Sequence, residues 1–314
     1  MNITIMKKVY IIIVTYKSMK WIKTCLNSLR QSDYPLNIVI VDNNSNDGSI
    51  EYLSQQPDIH MILNKKNHGF GQANNQGIKY AITQGADYCF LLNQDAYIYP
   101  NTVKKLIETA TLYPNAGIIT PVHLNGTGDG IDTYFRDYVL AKNAQYLTDT
   151  MFNNLHRNYD VINVPAAGWF LPIKTILEIG GFDPLFFHYG EDDNYLHRLE
   201  YHHRNIVMDT TAFIRHDREN TVGNQQAYNK GVNYRYLMRL CTNINFNIGF
   251  ICQKSGRMLY DDFGIFFMYL FSGKWSMIHN FIFDYIKIIC QINKIKRSRK
   301  FNKKLNANWL NNIF

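Results

Sequence analysis

The feature that most constrains the fold of this chain is a repeating order through its first 120 residues. Short runs of β-branched and other apolar residues, each closing on polar ones, alternate with segments whose apolar residues recur at helical spacing. The runs Val9–Thr15, Asn37–Asp42, Ile59–Leu63, Tyr88–Leu92 and 117–120 read as strands. Between them, Ile22, Cys25, Leu26 and Leu29 share one face of a helix over 19–31, and 48–55, 71–84 and 101–113 are further helix candidates. This alternation predicts an α/β fold, a Rossmann-like and mostly parallel sheet with flanking helices.

Beyond it, the polar stretch 123–158, with Gly126, Gly128 and Gly130 and no long period, reads as an excursion over the sheet edge. Strands are expected at 159–165 and 168–173, a short helix from Lys174, a helix over 192–203, and two closing strands at 206–208 and 212–214. From Tyr228 the chain turns aromatic, basic and helical. There Ile278, Phe281, Ile282, Tyr285, Ile288, Ile289 and Ile292 mark one helical face, opposite Asn280, Asp284, Lys287 and Gln291. This region is read as a C-terminal helical appendage.

Composition narrows the classes. With 46% hydrophobic residues, the 314-residue chain can bury a substantial core and is no disordered protein. Its five cysteines lack metal spacing and are odd in number, so they read as reduced thiols. Lys7 and Lys8 precede the first apolar run, but no small-residue cleavage site follows, so the run reads as a strand and not a signal peptide. No stretch reaches the roughly 18 to 20 apolar residues of a spanning helix, so a soluble catalytic part is expected. The net charge is +8, and no acidic residue follows Asp284, whereas eight Lys and Arg lie between Lys287 and Lys304. An apolar face running into such a segment suits an anionic membrane surface, with the aromatic run 263–271 dipping into the interface. A helix packed on the catalytic part, or on a second copy in a homodimer, is the alternative. Nucleic acid is not an expected partner, because base-reading motifs are absent.

In a parallel α/β sheet, ligands bind outside the carboxyl ends of the strands. Thr15 and Tyr16, residues 42–45, residues 64–71 and Asn93-Gln94-Asp95 all lie there. Asp42 is placed to accept from a base N–H or a ribose hydroxyl, although Asn43, Asn44 and Ser45 are also ordinary turn formers. Residues 15–18 hold no glycine, unlike the phosphate turn of a dehydrogenase or the Gly-rich loop of a nucleotidyltransferase, and no P-loop motif occurs. In residues 67–75, Gly69 and Gly71 allow close backbone approach to a ligand, and a helix start there also favours anions. Asp95, emerging at the sheet edge, is a hard oxygen ligand for Mg²⁺ or Mn²⁺ bridging a diphosphate, or simply a cap. Glu191-Asp192-Asp193 opens a helix with more acid than the helix dipole calls for, so a general base is expected among them. Arg198 would lock this segment or neutralise it, and His216 ends the last strand.

Together, Val14-Thr15-Tyr16, residues 41–49, residues 67–75, Leu92-Asn93-Gln94-Asp95, Gly180-Gly181-Phe182-Asp183, Glu191-Asp192 and His216 resemble the family 2 inverting glycosyltransferases of GT-A fold that assemble bacterial polysaccharides. The resemblance spans roughly residues 8 to 220. It implies a catalytic domain over 1–225, with a nucleotide-sugar part about 8–121 and an acceptor part about 122–225, followed by the helical region 226–314. It implies that Thr15, Tyr16 and Asp42 hold the nucleoside, and that Asn44, Asn67, Gly69, Gly71, Asn74 and Asn93 complete the nucleotide-sugar site. Asp95 would be the metal-binding acid, Asp192 the base, and His216 a second contact to metal or diphosphate. Two departures stand out. Asn93 replaces the first acid of the DxD-like motif, and Glu191-Asp192-Asp193-Asn194 replaces Glu-Asp-x-Asp, leaving the base between Asp192 and Asp193.

The resemblance further implies a dTDP- or UDP-sugar donor and a hexosyl or rhamnosyl group. With the apolar and cationic tail, it gives the expectation of a peripheral enzyme on the cytoplasmic face of the membrane, acting on a lipid-linked saccharide acceptor in capsule or O-antigen assembly. The rival readings are a nucleotidyltransferase and a catalytically inactive sugar- or membrane-binding protein of the same fold.

Overall fold

In the first strand, β1 (Val9–Thr15), Val9, Ile11 and Ile13 belong to one hydrophobic cluster and Tyr10 and Ile12 to another. Successive strand residues point to opposite faces, so both faces of the sheet must be covered. The computed structural model describes residues 6–218, 232–271, 275–306 and 309–310, without the side chains of 261–270 and 275–281. β1 is flanked by β2 (Asn37–Asp42) and β4 (Tyr88–Leu92), with β3 (Ile59–Leu63) outside β2, all parallel. The helices α1 (Ile22–Arg30), α2 (Ser49–Ser54) and α3 (Phe70–Thr83) connect them, and α4 (Thr102–Leu112) follows. Each of these elements falls within a residue or a few of its expected limits.

The sheet continues through β5 (Ala96–Ile98), β6 (Ala116–Asn125), β7 (Asn158–Val161), β8 (Gly168–Pro172) and β9 (Asn205–His216). The order is β3-β2-β1-β4-β8-β6-β9-β5, with β7 on β9. β8 runs antiparallel to β4 and β6, while β6 and β9 are parallel. One sheet therefore runs through both expected parts of the catalytic region. The three-residue β5 is too short for a sequence period and was not expected.

Two expectations change. Residues 123–158 are not an irregular excursion: β6 extends to Asn125, and α5 (Thr133–Tyr138), a 3-10 turn (Leu140–Lys142) and α6 (Ala144–Met151) follow. Their starts are capped, Asp132 accepting from the Phe135 N–H and Asn143 from the Tyr146 N–H, but each helix is too short to show periodicity. The expected strands at 206–208 and 212–214 are one strand. Its register against β6 shifts from Pro121–Asp209 to Val122–Phe213, because a polar bulge intervenes. Asp209 is buried there, accepting from the hydroxyls of Thr109 and Thr211 and pairing with Arg157.

A short helix α7 (Ile173–Ile179) and the acidic α8 (Glu191–Tyr201) complete the core, and α9 (Val232–Thr242), α10 (Ile248–Phe271) and α11 (Trp275–Asn302) follow. The end of α11 is tied to the catalytic body: Ser298 and Asn302 both donate to Asp183, and Arg299 donates to the carbonyls of Cys241, Asn243 and Phe246. Part of the cationic tail thus serves packing. The inner face of α11 also differs from expectation. Asp284, expected outside, is buried and accepts from the Tyr234 N–H, and Gln291 donates to the Tyr234 hydroxyl. Polar partners on α9 therefore choose the face, and Ile282, Ile289 and Ile292 stay exposed while Ile288 is buried. Ile278, Phe281 and the aromatic side chains from Phe263 to Tyr269 lie outside the described residues, as does Tyr228. No helix among the described residues is long and apolar enough to cross a membrane.

Candidate active site

Thr15 ends β1 directly opposite Asp42 at the end of β2. The Thr15 hydroxyl donates to Asp42 Oδ2 at 2.7 Å, the Ser45 N–H to Oδ1 at 2.8 Å, and the Ser45 hydroxyl to Oδ2 at 2.7 Å. Asp42 is 1% exposed, and Oδ1, with one donor, keeps capacity for another. Asn44 is exposed beside it in a left-handed conformation, φ 66°. Gln94 ties the end of β4 to that of β1: it accepts from the Tyr16 N–H at 2.9 Å and donates to the Tyr16 carbonyl at 3.3 Å. The Tyr16 ring is left exposed.

Asn43, from sequence a turn former, holds the next loop. It donates to the Gly69 carbonyl at 3.2 Å and accepts from the Asn64 amide at 3.0 Å and the His68 N–H at 3.3 Å. Asn67 accepts from the Gly69 N–H at 2.8 Å. Asn74 is 1% exposed and donates to the Phe70 carbonyl within α3, so it is turned inward and not toward the strand ends. On their Cα sides the two glycines admit protein backbone and side chain. Gly69, at φ 81°, lies so close to the Phe186–Tyr189 loop that a Cβ would stand 1.9 Å from the Phe187 carbonyl oxygen. A Cβ on Gly71 would stand 2.9 Å from that of Phe182. Asn75, part of the 67–75 motif but given no role from sequence, clamps the same seam, donating to the Phe182 carbonyl at 2.8 Å and accepting from its N–H at 2.7 Å. The donor-side loop and the segment leading to α8 thus form one wall.

Asn93 donates its N–H to the carbonyl of Ala167, the residue before β8. Because β5 pairs with β9 as Ala96 opposite His216, Asp95 stands beside that histidine, with Nε2 3.4 Å from Oδ1. His216 is buried, and its Nδ1 has no partner among the described residues. No cluster of three or more His, Cys, Asp or Glu that could hold a metal occurs among the described residues. A carboxylate and an imidazole fit Mg²⁺ or Mn²⁺ when substrate oxygens complete the shell.

The three acids that open α8 have distinct surroundings. Glu191 is buried, its Oε2 without a partner among the described residues, and burial beside Asp192 and Asp193 pushes its carboxyl up to about 8. Burial and the Asp193 charge push Asp192 up to about 6. Asp193 is raised by burial but opposed by Arg239, whose Nη1 lies 3.2 Å away. Arg239 comes from α9, and nothing near the acids in sequence announces it. Arg198 does not neutralise the acids; fully buried, it donates to the carbonyls of Ile179 at 2.9 Å and Gly181 at 2.7 Å and locks the turn before them.

Polar strand ends, a wall shared by two loops and an acidic helix start converge in one region, and the similarities of the chain say to which class it belongs. Residues 10–171 match the model of glycosyl transferase family 2, and the chain belongs to that family. It is 30% identical over 99 residues to the dTDP-rhamnosyl transferase RfbF of Shigella flexneri, covering 31% of this chain and 33% of the relative. It is 26% identical over 204 residues to the low-salt glycan biosynthesis hexosyltransferase Agl10 of Haloferax volcanii, covering 65% of each. The chain therefore spans a third to just under two thirds of these relatives' lengths. S. aureus TarS in complex with UDP superposes with a TM-score of 0.53 at 16% identity, covering 78% of this chain and 69% of that one. The Pyrobaculum calidifontis mannosyltransferase PcManGT in complex with GDP-Man and Mn²⁺ gives 0.54 at 15% identity, covering 76% and 62%. The fold is GT-A.

Proposed function

We propose that this chain transfers a hexosyl or rhamnosyl group from a dTDP- or UDP-sugar to a hydroxyl of a growing, lipid-linked bacterial surface polysaccharide, with inversion. The observation that carries this reading is the division among the three acids. Asp193 is paired with Arg239, Glu191 is protonated near neutrality, and Asp192, pushed up to about 6, has no ion pair among the described residues. A base with a pKa just below the working pH is the effective one.

Asp192 takes the proton of the acceptor hydroxyl as that oxygen bonds to the anomeric carbon. The bond from this carbon to the diphosphate breaks, and its electron pair leaves with the nucleoside diphosphate. One displacement inverts the centre without a covalent sugar intermediate. Thr15, Tyr16 and Asp42 hold the nucleoside, Asp42 through Oδ1, and Asn93 and the loop around Asn67 flank the diphosphate. Asp95 and His216 would hold Mg²⁺ or Mn²⁺, which would supply positive charge for the leaving diphosphate.

The dTDP-rhamnosyl transferase RfbF and the UDP bound to TarS support dTDP- or UDP-linked donors, although PcManGT holds GDP-Man, and the Mn²⁺ of PcManGT supports a divalent ion. Residues 1–225 are the catalytic unit and 226–314 a helical region that places it, peripherally, on the cytoplasmic face during capsule or O-antigen assembly. A panel of nucleotide sugars scored for nucleoside diphosphate release tests the reading, with the product anomer assigned by NMR. One dTDP- or UDP-sugar should be hydrolysed or transferred with inversion. Release of pyrophosphate, or retention at the anomeric carbon, would refute it.

A further inference from the structure

α11 turns different chemistry to its two sides. Its inner side, with Asp284, Ile288, Ile295, Ser298 and Asn302 buried at intervals of three, four or seven residues, holds the helix on the catalytic body. On the outer side the first half presents Ile282, Ile286 and Ile289, exposed at 45%, 48% and 69%. The second half presents Lys296, Arg297 and Lys300, all exposed. With about 3.6 residues per turn, these six lie within about a third of the helix circumference, along a stripe of about 27 Å. The single acid of α11, Asp284, is on the inner side, so no anion interrupts the stripe. Beside it, Lys287 Nζ stands 4.4 Å from the centre of the exposed Phe283 ring.

We propose that this stripe docks on an anionic lipid bilayer, the isoleucines entering the headgroup boundary and the cations lying on the headgroups. The inference deepens the reading of a lipid-linked acceptor. Charge complementarity selects the occupant: a second copy carries the same cations and offers no acidic face on α11 to meet them. The attachment runs through hydrogen bonds at the end of the helix. Ser298 and Asn302 hold Asp183 beside the seam at Phe182, and Arg239 of the neighbouring α9 pairs with Asp193. Docking the stripe therefore fixes the height of the catalytic acids above the bilayer.

The full chain is sedimented with vesicles of phosphatidylcholine alone or mixed with phosphatidylglycerol. It should sediment with the mixed vesicles, stay in solution with phosphatidylcholine alone, and be released by salt. Lys296→Glu/Arg297→Glu/Lys300→Glu should weaken binding by about a hundredfold or more, three nearby cations contributing about fivefold each. Ile286→Asp/Ile289→Asp should weaken it by about tenfold or more. Circular dichroism and nucleotide-sugar hydrolysis without vesicles report separately on folding and on the transfer reading. Wild-type protein that ignores phosphatidylglycerol, or variants that sediment like wild type, would overturn the proposal. Loss in the charge variant alone would overturn insertion of the isoleucines. A wild-type dimer that either variant makes monomeric, with no vesicle binding, would assign the stripe to a second copy instead.

Discussion

Asp192 and Asp193 are neighbours with the same side chain, and only their surroundings separate them. Arg239 engages Asp193, while burial and the adjacent charge lift Asp192 to about 6. Asp192→Asn should therefore lower turnover by about 10²-fold or more while donor binding persists, as steady-state kinetics and calorimetry can measure. An inactive Asp193→Asn beside an active Asp192→Asn would reverse the assignment. Turnover should also fall as the pH drops through about 6, where Asp192 gains its proton. Glu191 has the opposite stability signature from an ion-paired carboxylate. Its folded pKa, about 8, lies above its ordinary value of 4.5, so the folded state binds the proton more tightly and loses stability as pH rises between the two. Glu191→Gln should raise the thermal midpoint relative to wild type increasingly through that window, most at pH above 8. An equal effect at pH 5 and pH 9 would contradict the burial of an ionisable acid.

At the scale of elements, the cleft wall depends on a close approach of two loops. Gly69→Ala would set a Cβ 1.9 Å from the Phe187 carbonyl oxygen at a φ that disfavours side chains. A loss of about 2 kcal/mol or more is expected in chemical denaturation, with a raised KM for the donor. Unchanged stability would mean the loops separate freely. Asp183 accepts from Ser298, Asn302 and the Leu185 N–H. Asp183→Ala should cost about 1 to 3 kcal/mol for the stranded donors and speed hydrogen exchange at the end of α11. The strands up to Leu92 were legible because each has five or more residues of apolar pattern. β5, α5 and α6 were not, since three to eight residues held by caps and a few buried side chains carry no period.

The whole molecule gathers its site from segments some two hundred residues apart, from Thr15 to His216 and Arg239. As proposed metal ligands, Asp95 and His216 would make a sparse site, with Asn93 where a second carboxylate would strengthen it. Mn²⁺ should accordingly bind weakly by itself and more tightly with nucleoside diphosphate present, and the nucleotide should gain by the same factor. Calorimetric titration in both orders checks this, and full activity in excess chelator would contradict it.

What the sequence determined by itself was the alternation of strand and helix and the polar residues at the strand ends, because both depend on local spacing and on chain direction. It could also name the acids that open α8 and the charge of the tail. The tertiary structure alone decided how those residues are used. Whether Asp192 or Asp193 is free rests on an arginine brought in from α9. Gly69 and Gly71 are fixed by the Phe182–Phe187 segment lying across them. The outer face of α11 was set by polar partners at Tyr234 and Asp183, not by the apolar period. A buried donor or acceptor left unpaired costs about 1 to 3 kcal/mol, comparable with an isoleucine left in water, and the chain meets the directional requirement of its polar partners while leaving part of the apolar pattern exposed.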